Sequence, residues 1–289
     1  MIPHLLVVMR HEFAGRIAAA GAGVYLSAGT AVTVMPGVTC GRCVNCARGD
    51  QRACLRRQAI GLTRHGGFAR YVTIPAGNCL VLPDAVDTEL GALTEPLSVG
   101  CEAVLTGEVR LGDTVLVMGP GTIGQTVALF ARTAEAGRML IAGRADGPRF
   151  DVMRQLGFTD ILDVADAPLA DLVLGATGGH KVDVVIAATG HPPSIADGLG
   201  VLRTAGVLMI AGMHPAPVSL PLTDFVRARQ QLRATHGCDR FTWDKVLTTV
   251  TREQETFRPM ITHRMTLNHG LEGFELSRQR AASKVMLRP

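Results

Sequence analysis

The stretch GDTVLVMGPGTIG, residues 112–124, decides the fold. Thr114 to Met118 are almost wholly apolar and β-prone, which reads as a strand covered on both faces. Gly119, Pro120 and Gly121 break that run at once, and IGQTVALFARTA continues with helical spacing. A lone G-x-G-x-x-G says little; placed between a strand and a helix it says much more. Gly119 permits the tight turn, Gly121 lets a pyrophosphate approach the backbone, and Gly124 lets the helix pack on the strand. At the helix start, Thr122 and Ile123 turn unpaired N–H groups and the positive end of the helix dipole toward that pyrophosphate. The stretch reads as a dinucleotide site, with a merely tight βα turn as the competing reading.

Further apolar strands are expected at Met139–Ala142, Asp160–Val164, Asp183–Ala188, Val207–Ala211 and Leu232–Thr235, with helical segments between them. That alternation implies an α/β Rossmann domain, a doubly wound parallel sheet. The second strand should end in an acidic residue, about 20 residues on, if the cofactor is NAD. It ends instead in Gly143-Arg144. A carboxylate would repel a 2′-phosphate, whereas Arg144, with Arg149 close in sequence, can pair with one. NADP(H) is therefore preferred over NAD(H), against the alternative that Arg144 is a solvated loop charge beside NAD.

Toward the N-terminus the texture changes. Residues 13–83 are short β-like segments punctuated by Gly and Pro: GRIAAAGAGV, TAVTVMPG, GGFARYVTIP and NCLVLPD. They read as a second, β-rich, barrel-like domain. Within it Cys40, Cys43, Cys46 and Cys54 form C-x2-C-x2-C-x7-C. Four thiolates in one loop can close a tetrahedral shell around a structural Zn²⁺, with free or oxidised thiols as the alternative. Cys79, Cys101 and Cys238 stand alone and read as small buried hydrophobes. His11-Glu12 and Glu95 could hold a second, open zinc, although from spacing alone a His-Glu pair is more often a surface or hydrogen-bonded pair. PLSVGCEAVL reads as a helix, and residues 257–289 as strand, short helix and strand.

Composition narrows the classes. The chain has 289 residues, 47% of them hydrophobic, with a net charge of +4 and a pI near 8.8. No block of like charge and no Arg–aromatic interleaving points to nucleic acid. The uncharged stretches 17–41 and 114–131 are broken by Gly or Pro and read as buried strand and helix, not membrane spans. Met1 to Met9 lack a basic n-region, which argues against a signal peptide. An odd count of seven Cys, clustered, fits a reducing cytoplasm rather than a disulfide scaffold.

Taken together, HEFAG at 11–15, the four-cysteine loop, GGFARYV at 66–72, EPLSVG at 95–100, GDTVLVMGPGTIG, VDVVIAATG at 182–190, ITHR at 261–264 and the closing KVMLRP resemble the zinc-containing medium-chain alcohol dehydrogenases, nearest the sorbitol, polyol and threonine dehydrogenase branch. The resemblance spans nearly the whole chain. It implies a GroES-like catalytic domain at 1–94 and 256–289, with the zinc lobe at 40–54, and an NAD(P)-binding Rossmann domain at 95–255. It implies hydride exchange between a secondary alcohol or polyol, or its ketone, and nicotinamide, with zinc as Lewis acid. By the same resemblance His11, Glu12 and Glu95 are the catalytic-zinc residues. Thr189 and Gly190 face the nicotinamide. A homo-oligomer, dimer or tetramer, is expected.

Several positions depart from the family pattern. No Cys precedes His11, so the family's zinc cysteine and the Ser or Thr that follows it are missing from this stretch, and the usual Gly before His-Glu is Arg10. The usual G-D-R-V strand start reads Gly29-Thr30-Ala31-Val32. The expectation is an active reductase whose sequence begins late. The alternative is an inactive NADP(H)-binding fragment or paralogue that keeps the structural zinc. His65, His214 and His236 are read as solvated loop histidines.

Overall fold

The computed structural model describes residues 6–289; Met1 to Leu5, part of the stretch weighed as a signal peptide, lie outside the described residues. The chain divides into two compact units. One runs to Ser98 and takes in Gly237–Glu275 and Val285–Pro289; the other is Val99–His236 with Leu276–Lys284.

In the first unit, β1 (Ala14–Arg16), β2 (Ala31–Val34) and β3 (Cys79–Val81) form an antiparallel sheet in the order β1-β2-β3. Its register sets Ala14 against Thr33 and Val34 against Cys79. Leu26, Val32 and Cys79 are buried beneath it, with Ile17, Val24, Ile74 and Ala76 packed alongside. The expected burial of 17–41 fails at Ala18–Gly23, an exposed loop of small residues with too little apolar surface to drive burial. GGFARYVTIP is not a strand either. Its N–H groups at Gly66, Gly67 and Phe68 donate to the carbonyls of Val8, Arg10 and Met9, so loop-to-loop bonds satisfy the backbone that a ladder would have taken. Near the C-terminus, strands Ile261–Thr266 and Lys284–Arg288 pair with each other.

A long helix, α1 (Thr88–Gly107), begins well before the expected Pro96 and carries Glu95. It starts where Asp87 accepts the Leu90 N–H at 2.9 Å, an acidic side chain at a helix N-terminus.

The second unit is built on β4 (Thr114–Met118), α2 (Thr122–Thr133), β5 (Arg138–Gly143), α3 (Gly147–Gln155), β6 (Asp160–Asp163), α4 (Leu169–Thr177), β7 (Val182–Ala187), α5 (Pro193–Val201), β8 (Leu202–Ile210) and β9 (Gln231–Ala234). The sheet order is β9-β8-β7-β4-β5-β6, and every pairing is parallel. This is the doubly wound parallel sheet expected from the sequence. Helices cover both faces, so Val115, Leu116 and Val117 are wholly buried, as are Val185, Ile186 and Ala187. Strand order reverses between β4 and β7, which opens a crevice at their carboxyl ends.

Candidate functional site

The four cysteines meet in one small lobe. A left-handed turn at Gly41 (φ +69°) leads into a single helical turn, Val44–Ala47, and Gly49 (φ +84°) turns the chain back. Asn45 Nδ2 donates to the Ala53 carbonyl at 2.6 Å, and the Ala53 N–H donates to Asp50 at 3.2 Å, which returns Cys54 to the others. Cys43 Sγ lies 3.5 Å from Cys46 Sγ and 4.0 Å from Cys54 Sγ, and the four sulfurs all lie within 4.8 Å of one another. A tetrahedron with Zn–S bonds of about 2.3 Å has edges of about 3.8 Å, whereas a disulfide needs about 2.05 Å. The sulfurs are therefore spaced for a shared ion and too far apart for bridges.

Their acidities are unequal. Backbone N–H groups, first that of Cys46 and then that of Leu55, bring the Cys43 thiol down to about 6. The Arg42 N–H chiefly lowers Cys40. Desolvation, reinforced by hydrogen bonds with Cys43 and Cys54, pushes Cys46 up to about 12. A divalent cation would resolve that inequality by stabilising all four thiolates at once.

The second donor group combines distant parts of the sequence. His11, Glu12 and Glu95 present ligand atoms that all lie within 4.8 Å of one another, and His11 Nε2 is 3.6 Å from Glu95 Oε1. One imidazole and two carboxylates suit zinc and leave room for a further ligand. The segment carrying His11 is held by the Gly66, Gly67 and Phe68 bonds described above and by a 3.0 Å bond from the Val8 N–H to His65 Nδ1. His65 is thus a structural acceptor as well as an exposed side chain. A Cβ on Gly66 would collide with the Arg10 carbonyl, so only glycine lets the two loops close. Glu95 precedes Pro96, which has no N–H to give the Ala92 carbonyl; Ser98 Oγ donates to the Glu95 carbonyl at 2.7 Å.

At the crevice of the second unit, Gly119 has φ +107°, and a Cβ on Gly124 would collide with its carbonyl. Gly121 caps α2 in an extended conformation with no side-chain cap bond. The N–H groups of Thr122, Ile123 and Gly124 have no helical carbonyl behind them, which makes this a cradle for an anion. Gln125 secures the turn by donating to the Pro120 carbonyl at 2.9 Å.

Gly143 has a packing reason besides the electrostatic one. A Cβ there would come 2.8 Å from both Phe150 and Pro120. Arg144 is exposed and reaches the Val164 carbonyl only at 3.5 Å. Arg149 is tied to Asp146 at 3.4 Å and to the carbonyls of Ser277 and Ala282 at 3.3 and 3.2 Å, and its guanidinium is 4.0 Å from where a Gly121 Cβ would stand.

Two neighbours escaped the sequence reading. Arg280 donates to the Arg144 carbonyl at 3.2 Å. Asp146 is buried, its Oδ1 has no hydrogen-bond partner among the described residues, and burial raises its carboxyl pKa despite the nearby arginines. Neither has a local signal, because Arg280 arrives from the far end of the chain and Asp146 is an ordinary helix-start residue in sequence.

Thr189 and Gly190 lie at the carboxyl end of β7. A Cβ on Gly212 would collide with the Thr189 carbonyl, and one on Gly190 would come 2.5 Å from the Met213 carbonyl, so the ends of β7 and β8 meet closely. His214 follows directly. It is half-buried, and both ring nitrogens are shielded with no hydrogen-bond partner among the described residues, unlike the solvated histidine expected. Its signal was its position just past a strand end of a parallel sheet.

Residues 1–84 match the family model of the alcohol dehydrogenase GroES-like domain, and residues 122–252 that of zinc-binding dehydrogenase. The chain is 30% identical to an L-threonine 3-dehydrogenase of Rhizobium etli over 285 residues, 97% of this chain and 81% of that one. Among solved structures it is similar to alcohol dehydrogenase TADH from Thermus sp. ATN1 (25% identity, TM-score 0.92, 100% of this chain and 86% of that one). It is also similar to a zinc-binding dehydrogenase of Sinorhizobium meliloti 1021 bound to NADP (26%, 0.89, 98% and 84%). No helix among the described residues is long and apolar enough to cross a membrane.

Proposed function

This chain belongs to the zinc-containing medium-chain alcohol dehydrogenase family, and on that premise we propose that it interconverts a secondary alcohol or polyol and its ketone with NADP(H). Oxidoreduction of alcohols is the activity of the family; the cofactor preference, the substrate kind and the residue roles are the proposal.

The observation that carries it is the meeting of His11, Glu12 and Glu95, with ligand atoms within 4.8 Å of one another. These three would hold the catalytic zinc, and Cys40, Cys43, Cys46 and Cys54 the structural one. Bound there, zinc supplies a Lewis acid that makes the substrate hydroxyl easier to deprotonate. Nicotinamide bound in the second unit would supply the acceptor for the carbinol hydride, and the hydroxyl proton would pass to solvent, leaving the ketone. The turn at Gly119, Gly121, Thr122, Ile123 and Gly124 binds the pyrophosphate through backbone N–H groups. Thr189 and Gly190 would flank the nicotinamide. Arg144 is the partner of the 2′-phosphate; Arg149, already holding Asp146 and two carbonyls, contributes a fixed positive charge beside the turn. The domain assignment, 1–94 with 256–289 and 95–255, belongs to the same reading.

A second reading, an NADP(H)-binding chain without turnover, is favoured by one observation: Arg10 places a guanidinium 3.7 Å from Glu12. Zinc content and turnover separate the two. Two zinc ions per chain with NADPH-linked alcohol turnover is the expected result. One zinc, tight NADPH and no turnover with any secondary alcohol overturns it in favour of the second reading. Tighter binding of NADH than of NADPH removes the cofactor proposal.

A further inference from the structure

Arg10 is a charged side chain beside the His11–Glu12–Glu95 group to which the proposed function gives no role. Its backbone has φ +81°, a conformation that L side chains rarely adopt. Packing fixes it there: Gly61 and Gly66 press on its backbone so closely that neither could carry a Cβ. The Arg10 carbonyl accepts the Gly67 N–H at 2.8 Å. A strained non-glycine residue held beside a candidate active site is a reason to ask what its side chain does.

The side chain is fixed as well. The guanidinium carbon lies 5.8 Å from the centroid of the Phe68 ring, and Phe68 is itself braced by the edge-to-face contact with Phe274 at 5.7 Å. This is a cation–π contact and takes up none of the N–H donors in hydrogen bonds. The Glu12 contact, at 3.7 Å, is too long to be a hydrogen bond. Among the described residues no hydrogen bond from the Arg10 side chain is seen, and that side chain is 42% exposed. Two carboxylates, a divalent ion and Arg10 leave a net charge of about +1, a balance that attracts an anion.

We propose that Arg10 recognises a carboxylate on the substrate, so that the site takes short hydroxy acids in preference to neutral alcohols. An Arg fork matches a carboxylate in two parallel hydrogen bonds. Arg10 stands 3.7 Å from one cluster oxygen, and the cluster atoms lie within 4.8 Å of one another. A carboxylate a few bonds from the reacting hydroxyl spans that gap. This rests on the reading of the His11–Glu12–Glu95 group as the catalytic site.

The test compares 3-hydroxybutyrate with 2-butanol, which replaces the carboxylate with a methyl group. In the zinc-loaded wild type, kcat/KM should favour the acid. In Arg10→Gly and Arg10→Met the acid-to-alcohol ratio should fall by about tenfold or more, chiefly through KM, with Arg10→Lys intermediate. Glycine suits the left-handed backbone, so Arg10→Gly separates loss of the side chain from misfolding. A ratio that moves less than about twofold in both variants overturns the assignment. Equilibrium binding of 3-hydroxybutyrate by calorimetry gives an independent readout. If no substrate is turned over, the dehydrogenase reading fails, while binding about tenfold weaker in Arg10→Met still upholds the anion site. Wild-type binding no tighter than that of Arg10→Met overturns it.

Discussion

The two groups of metal-binding side chains are built in opposite ways. The cysteine lobe draws all four donors from residues 40–54, turns on its own glycines and closes through its own hydrogen bonds. The His11–Glu12–Glu95 group brings a loop to the middle of a long helix and carries a guanidinium at its border. A lobe of four like donors is closed and uniform, suited to holding structure. A mixed group assembled by tertiary folding is open and asymmetric, suited to chemistry. Removing one donor from each should therefore produce different losses.

The largest effect is expected in the lobe. Cys43→Ser removes a thiol that backbone N–H groups make more acidic and should release the structural zinc. Without it, little besides turn hydrogen bonds holds residues 40–54 together, and the Tm should fall by roughly 10 °C. Calorimetry with metal analysis on the same sample checks this. Retention of the zinc with an unchanged Tm would break the contrast on its structural side.

Glu95→Gln should do the reverse. The amide keeps the shape of the side chain, so the Tm should shift by only a few degrees. Turnover should fall by about 100-fold, with weaker zinc retention at this group alone. Full activity in a variant verified to lack that zinc would remove the catalytic assignment.

The cofactor crevice extends the comparison to a site that depends on backbone more than on side chains. Arg144→Ala should weaken NADPH by about tenfold or more while NADH changes far less, because only NADPH has the 2′-phosphate to lose. Fluorescence titration with both nucleotides measures the ratio. Equal losses would show that Arg144 contacts a part common to both.

What could be read in the sequence follows the same division. The lobe was visible because its ligands are neighbours in the chain. The parallel sheet was visible because strands such as Val182–Ala187, buried on both faces, have little choice of residue. Gly66–Pro75 misled because its β-like alternation is met by bonds to Val8, Met9 and Arg10, which no local pattern announces. Asp146, Arg280 and His214 owe their surroundings to elements far away in sequence. The left-handed backbone at Arg10 is set by two glycines more than 50 residues downstream. Residue type gives what a side chain can do; its setting here came from partners the sequence does not place.

The smallest expected effect concerns how α1, which carries Glu95, is tied to the C-terminal strands without metal. Glu89 receives Arg264 at 3.0 Å and Arg288 more closely still. Burial alone would raise its carboxyl group, but hydrogen bonds from Arg288 and Arg264 prevail and hold it below its usual 4.5. Because the folded value is depressed, the contribution is fully present above 4.5 and is lost as the pH falls through the folded value. Glu89→Gln should lower the Tm by about 2 °C at pH 7, the modest return of an ion pair whose arginines face solvent. The difference between variant and wild type should shrink toward zero as both are acidified below pH 4.5. A difference that persists unchanged at low pH would mean that Glu89 acts by packing, and the helix would then be tied to these strands by shape rather than by charge.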